Sequence, residues 1–230
     1  MIDLTIVILC YNELNSVESV LDSLILEVSS LQIKYEIIIV NDGSNDGTSE
    51  KIDGFLNTKS NLKIIHHPKN LGLGYAYRSG FTNAKGKFLI FFPADGQFPA
   101  KQLQNFYLQI NDSDLALGYF QNQKRKNLLS VFLSFIERLL YKILIGSMPK
   151  FQGLFMIKTS LLKEINLKTE GRGWGVLLEL FIKIYRSKKY KIINIPNYIE
   201  ERKFGKSKVN NLKTIYANFI EMLKMRKNLN

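Results

Sequence analysis

Apolar and polar positions alternate in two periods along this chain. Short apolar runs suited to strands are separated by stretches with helical spacing. The runs Leu4–Cys10, Glu36–Val40, Leu62–His66, Phe88–Phe92 and Leu115–Gly118 predict strands. The stretches Ser16–Leu31, Ser49–Leu56, Gly74–Ala84 and Gln102–Ile110 predict helices. Repeated strand–helix units imply a mostly parallel sheet with helices on both faces, an α/β fold. The second half reads differently. Asn127–Ile145 predicts a long helix, apolar around most of its circumference. Phe151–Lys158 predicts a strand and Trp174–Arg186 a helix, and Tyr190–Ile195 and Asn197–Arg202 look extended on either side of Pro196. Residues 203–230 read as a basic loop, Lys203–Lys208, followed by an amphipathic helix, Val209–Lys227. With no internal repeat or low-complexity linker, residues 1–230 read as one domain.

Composition narrows the classes. At 230 residues, 46% hydrophobic and 23% charged, the chain can bury a sizeable core. Its single cysteine, Cys10, excludes an internal disulfide framework, fits a reducing compartment and reads as packing. The start of the chain lacks the pattern of a secretory signal, and no apolar stretch is long enough to span a bilayer. The expected location is cytoplasmic, at most peripheral to the cytosolic membrane face. The net charge of +12 favours polyanions. The helix 127–145 carries more apolar surface than one packed face needs, and Lys124, Arg125, Lys126 and Lys150 flank it. That pattern suits a membrane surface, a membrane-protein partner or a homo-oligomer interface.

The candidate chemistry lies where strands end. The first strand runs into Tyr11-Asn12-Glu13, and the second into Asn41-Asp42-Gly43-Ser44-Asn45-Asp46-Gly47-Thr48. The third is followed by Asn70-Leu71-Gly72-Leu73-Gly74, and the fourth by Pro93-Ala94-Asp95-Gly96-Gln97. Four successive strands thus bring polar or glycine-rich loops to one edge of a sheet, where open α/β folds bind nucleotides. This arrangement argues against a nucleic-acid-binding module despite the charge. Asp95 and Gln97 place two oxygen donors two residues apart, a pairing suited to a hard cation that also takes phosphate ligands. Asp46 reads as the cap of the following helix. Arg78, one turn into the third helix, reads equally as a phosphate contact or a solvated charge. His66 and His67 lack companions at metal-binding spacing and read as structural.

These four loops together resemble glycosyltransferase family 2, with its GT-A fold. Gly173-Trp174-Gly175-Val-Leu-Leu-Glu179 and Arg202-Lys-Phe-Gly205-Lys-Ser207-Lys208 are similar to the dolichyl-phosphate mannosyltransferase-like branch. The resemblance extends to about residue 215. It implies an inverting transfer from a nucleotide diphosphate sugar, a UDP- or GDP-sugar, to a polyprenyl phosphate. It implies that Tyr11, Glu13, Asp42, Asn70, Gly74, Asp95, Gln97 and Ser207 bind the donor. Asp95 and Gln97 would hold Mg²⁺ or Mn²⁺, and Asp95, Arg202 and Lys208 would serve catalysis.

The chain departs from the branch in three places. Pro93 stands where the first acidic residue of the metal motif is expected. Gly118 is followed by Tyr119 rather than arginine, and Gln152-Gly153-Leu154-Phe155 replaces Ser-Gly-Phe-Arg. The missing arginines leave open either a glycan hydroxyl as an alternative acceptor or replacement by Lys124, Arg125, Lys150 or Lys158, and Pro93 leaves open an inactive nucleotide-sugar-binding protein. Against a hydroxyl acceptor, which normally needs a general base, the resemblance implies a Glu-Asp pair in the second half, and Glu179 stands in its apolar helix without an acidic neighbour. Glu179 itself reads either as a partner for a cation near the site or as a local stabiliser.

Overall fold

The computed structural model describes residues 1–120, 146 and 149–201. The helix expected at 127–145, the cations Lys124 and Arg125, and the basic loop and terminal helix with Arg202, Ser207 and Lys208 lie outside the described residues. Seven strands form one sheet: β1 (Leu4–Cys10), β2 (Tyr35–Asn41), β3 (Leu62–His66), β4 (Phe88–Pro93), β5 (Leu115–Phe120), β6 (Phe155–Lys158) and β7 (Ile192–Asn197). Their order is β3-β2-β1-β4-β6-β5-β7. The strands β3, β2, β1 and β4 are mutually parallel, as repeated strand–helix units dictate.

The expected mostly parallel α/β sheet is present, with one reversal. β6 runs antiparallel to both β4 and β5, while β5 and β7 are parallel. Only four residues long, β6 carries an apolar pattern that is silent about direction. One strand, rather than two extended segments, spans Pro196. It is the outermost strand beyond β5, and an edge tolerates the missing N–H of proline.

Six helices cover the sheet among the described residues: α1 (Val17–Ser29), α2 (Thr48–Phe55), α3 (Leu73–Asn83), α4 (Gln102–Ile110), α5 (Thr159–Glu164) and α6 (Gly175–Ser187). The short α5 was not expected from the sequence. Alternation along β1 splits the core. Leu4, Ile6 and Ile8 pack with Val17, Leu21 and Leu24 of α1 and Phe106 of α4. Val7, on the other face, packs with Val40, Phe91, Ala76 of α3, and Leu177 and Phe181 of α6. At about 25 cal/mol per Å² of apolar surface, two filled faces hold the sheet rigid beneath its loops.

Phe155 belongs to this second face. It is 1% exposed and its ring meets Phe91, Phe151 and Phe181. The position where the branch carries arginine is therefore core here, and it supplies no charge to a ligand.

Candidate active site

β1 is the switch point of the sheet. The chain proceeds from it to β2 and β3 on one side and returns to β4 on the other. A crevice must open there, beyond the carboxyl ends of the strands. Backbone hydrogen bonds continue the ladder one step past each strand end. Asp42 N–H donates to Cys10 O, His67 N–H to Asn41 O and Ala94 N–H to Leu9 O, each at 2.9 Å. The loops carrying Tyr11, Asp42, Asn70 and Asp95 therefore leave the sheet at one level.

Side chains tie the first two loops together. Asn12, at φ 55°, donates from Nδ2 to Asn45 Oδ1 at 3.0 Å, and Asn45 N–H returns a bond to Asn12 Oδ1 at 2.9 Å. Asn41 Oδ1 accepts from Ser44 N–H at 3.1 Å and from its hydroxyl at 2.6 Å. Thr48 Oγ1 accepts from Glu13 N–H at 3.0 Å. Tyr11 and Glu13 are half-buried beside this network, and Ser16 donates to Glu13 Oε2 at 3.1 Å. Asp46 accepts from Thr48 N–H at 3.1 Å, but the capping position of α2 is held by Gly47, one residue later than the expected Asp46. Burial pushes the Asp46 carboxyl up. The hydrogen bonds from Thr48 and Leu14 outweigh that and hold it below the ordinary aspartate value.

Asp42 has a structural task that the sequence did not reveal. It is 5% exposed. Its Oδ1 accepts from Leu71 N–H at 2.9 Å and its Oδ2 from Gly72 N–H at 2.8 Å. His67 Nδ1 lies 2.7 Å from the same Oδ1, and its Nε2 lies 2.8 Å from Ser79 Oγ. Asp42 and His67 thereby fix the loop Asn70–Gly74, which gives His67 the structural role read for it.

The two glycines of that loop do different work. Gly72, at φ 99°, makes a tight turn in the left-handed region that favours glycine. Gly74 does not turn; it lies in the first turn of α3, and a Cβ there would collide with the carbonyl oxygens of Gly171 and Gly173. It permits close approach of the segment that precedes α6, and its N–H donates to Arg172 O at 3.2 Å. Gly74→Ala is expected to destabilise the protein by about 2 kcal/mol, because backbone must give way. A thermal melt should show a midpoint lower by roughly 4–8 °C.

The segment before α6 is held from behind. Glu179, 0% exposed, accepts from Lys168 N–H at 3.0 Å, Thr169 N–H at 2.7 Å and Lys183 Nζ at 2.5 Å. Burial pushes its carboxyl up, and these donors more than offset that, holding it below the ordinary glutamate value. Arg78 is half-buried and is held by main chain rather than standing as a fully solvated charge. Its Nη2 donates to Leu167 O at 3.2 Å and also to Thr169 O. Both residues are struts, joined through contacts about 10 and 90 residues apart that no local pattern signals.

At the β4 end, Gln97 N–H donates to Asp95 Oδ1 at 3.1 Å across Gly96, whose φ is 71°. Pro93 is the last residue of β4, paired with Leu9. The segment after β7 lies against this turn. Glu200 N–H donates to Gln97 O at 2.8 Å, and Gln97 Nε2 reaches Glu200 O at 3.4 Å. Gln102, 4% exposed, grips Tyr198 at both backbone groups, at 2.6 and 3.1 Å. The chain entering Arg202–Lys208 thus starts beside Asp95–Gln97.

Asp95 and Gln97 fit a divalent ion in chemical type, being hard oxygen donors. Among the described residues no group of three or more His, Cys, Asp or Glu side chains could hold a metal. A cation at this turn would complete its shell with water and substrate phosphate, as Mg²⁺ commonly does.

The family model for Glycosyl transferase family 2 matches residues 5–165. Dolichol-phosphate mannosyltransferase of Pyrococcus furiosus is 29% identical over 226 residues, covering 92% of this chain and 60% of that protein. The enzyme of that name from Saccharomyces cerevisiae is 25% identical over 232 residues, covering 97% of this chain and 86% of its own length. Among solved structures, glucosyl-3-phosphoglycerate synthase of Mycobacterium tuberculosis, in complex with Mg²⁺ and UDP, superposes with a TM-score of 0.69. It is 16% identical, over 99% of this chain and 80% of that one, a likeness of fold.

Proposed function

The chain belongs to glycosyl transferase family 2, and on that premise we propose that it transfers a sugar from a UDP- or GDP-sugar to a polyprenyl phosphate. The observation that carries the reading is the convergence of four strand-end loops at the β1 switch point, with the Asp95–Gln97 turn beside the entry to Arg202–Lys208. Similarity to dolichol-phosphate mannosyltransferases over more than nine-tenths of the chain supports the acceptor class.

In this reading Tyr11 and Glu13 line the base and ribose pocket, and Asp42 shapes it together with the Asn70–Gly74 loop. Asp95 and Gln97 would hold Mg²⁺ or Mn²⁺, which neutralises charge on the departing diphosphate. Arg202, Ser207 and Lys208 engage phosphate oxygens of donor and acceptor. An acceptor phosphate oxygen bonds to C1 of the sugar while the bond from C1 to the diphosphate breaks. The electron pair leaves with the nucleoside diphosphate, and C1 inverts. A phosphate is already anionic at neutral pH, so no general base is required. Glu179, committed to its loop, is not available as one.

Residues 127–145 would bring the site to the cytosolic membrane face. Among the described residues no helix is long and apolar enough to cross a membrane. A test is nucleoside diphosphate release from a panel of UDP- and GDP-sugars, with Mg²⁺ or Mn²⁺. Release that depends on added undecaprenyl or dolichyl phosphate supports the reading. Release stimulated only by a glycan would transfer the assignment to a hydroxyl acceptor, and donor binding without release would mark an inactive protein.

A further inference from the structure

The two arginines that the branch would bring to phosphate are absent, and one of their positions, Phe155, is core. A different guanidinium stands at the donor side of the crevice. Arg172, in the segment between α5 and α6, is exposed. Its Nη2 donates to Asn70 Oδ1 at 2.5 Å. Asn70 opens the loop that Asp42 and His67 hold in place.

Three independent constraints put the arginine there. Its carbonyl accepts from Gly74 N–H. A Cβ on Gly72 would meet Arg172 O at 2.5 Å and Arg172 Cβ at 2.7 Å, so the absence of one lets the two backbones touch. Behind it, Glu179 and Arg78 fasten residues 167–169. Such a scaffold is more than a solvated surface charge needs.

The amide oxygen of Asn70 takes one of the five N–H donors of a guanidinium and none of its charge. We propose that Arg172 is a donor-contact residue, whose guanidinium binds a phosphate of the nucleoside diphosphate in place of the arginines missing at Tyr119 and Phe155. This rests on the nucleotide-sugar reading above. It goes beyond that reading in assigning donor-phosphate recognition to Arg172, in the segment that precedes α6.

The test uses the full chain, titrated calorimetrically with UDP and GDP, while uridine and guanosine are followed by ligand-observed NMR. Arg172→Gln should weaken the better-bound diphosphate roughly tenfold or more, because a charge-assisted fork is lost. Nucleoside binding and the thermal midpoint should not change. Arg172→Lys should recover part of the loss, since charge returns without the planar fork. Unchanged diphosphate affinity in Arg172→Gln overturns the inference and leaves the donor reading standing. So does an equal loss for nucleoside and diphosphate, which would make Arg172 only a brace for Asn70. Failure of the unaltered protein to bind either diphosphate overturns the donor reading, and the inference with it.

Discussion

Asp95→Ala is expected to lower donor turnover by at least about a hundredfold, the scale on which losing one electrostatic stabiliser of the transition state is felt. With Pro93 at the end of β4, the Asp95–Gln97 turn holds a single carboxylate. Removing it leaves Gln97 as a lone neutral oxygen donor, too little to hold a divalent ion against water. The same substitution deletes the Gln97 N–H to Asp95 Oδ1 bond, but the turn lies on a loop and the melt should move by only a degree or two. A parallel measurement of Mn²⁺ binding by electron paramagnetic resonance separates loss of metal from loss of chemistry. Pro93→Asp should act in the opposite direction, tightening Mn²⁺ by restoring a second carboxylate. If Asp95→Ala turns over donor at the wild-type rate, the turn is not where charge on the diphosphate is neutralised.

Glu179→Ala is expected to destabilise the fold by about 3 kcal/mol. The substitution orphans the buried N–H of Thr169, removes the acceptor of Lys168 N–H, and takes the carboxylate away from the ammonium of Lys183, which keeps Asn166 O. In a chain of this size that corresponds to a midpoint lower by roughly 6–12 °C. Glu179→Gln keeps one acceptor oxygen and should cost less. The comparison with Gln also predicts a pH dependence. The folded-state pKa of Glu179 is depressed below the ordinary value of 4.5. Its ionised form therefore contributes stability that is fully present above about pH 5 and is lost as pH falls through the folded value. Denaturant melts of the two proteins should differ by a constant amount from neutrality to about pH 5, and converge below the ordinary glutamate range. A gap that widens with acid would contradict this account of the carboxylate. Because the same loop carries Arg172, Glu179→Ala should also raise the Michaelis constant for the donor.

What could be read from the sequence follows a physical boundary. The strands β1 and β3 and the helix α4 have the limits that periodicity predicts, and the other elements of the first half agree within a residue or two, whereas the strand expected at Phe151–Lys158 begins only at Phe155. Buried strands and amphipathic helices announce themselves through local hydrophobic spacing. The loops at the β1 switch point were legible for the same reason: each directly follows a strand whose direction is set by its neighbours. The antiparallel β6 was not, since a four-residue apolar run has no direction.

The other omissions are long-range contacts. Arg78 reads as a surface or phosphate-binding charge because its partners are two backbone carbonyls 89 and 91 residues away. Glu179 looks like an isolated acid because its partners are main-chain N–H groups, which every residue but proline carries. Gly74 stands in the sequence as one glycine of a glycine-rich loop. The reason for it, contact with Gly171 and Gly173, depends on a segment about a hundred residues downstream. Arg172, flanked by glycines in a polar stretch, resembles any exposed cation until Asn70 is seen beside it.

The most direct measurement is identification of the product by mass spectrometry and NMR. The full chain would be incubated with its preferred UDP- or GDP-sugar, divalent metal and polyprenyl phosphate. The account predicts one sugar joined through phosphate to the lipid, with anomeric configuration opposite to that in the donor. A sugar found on a glycan hydroxyl, retained configuration, or free sugar with unaltered lipid would contradict it.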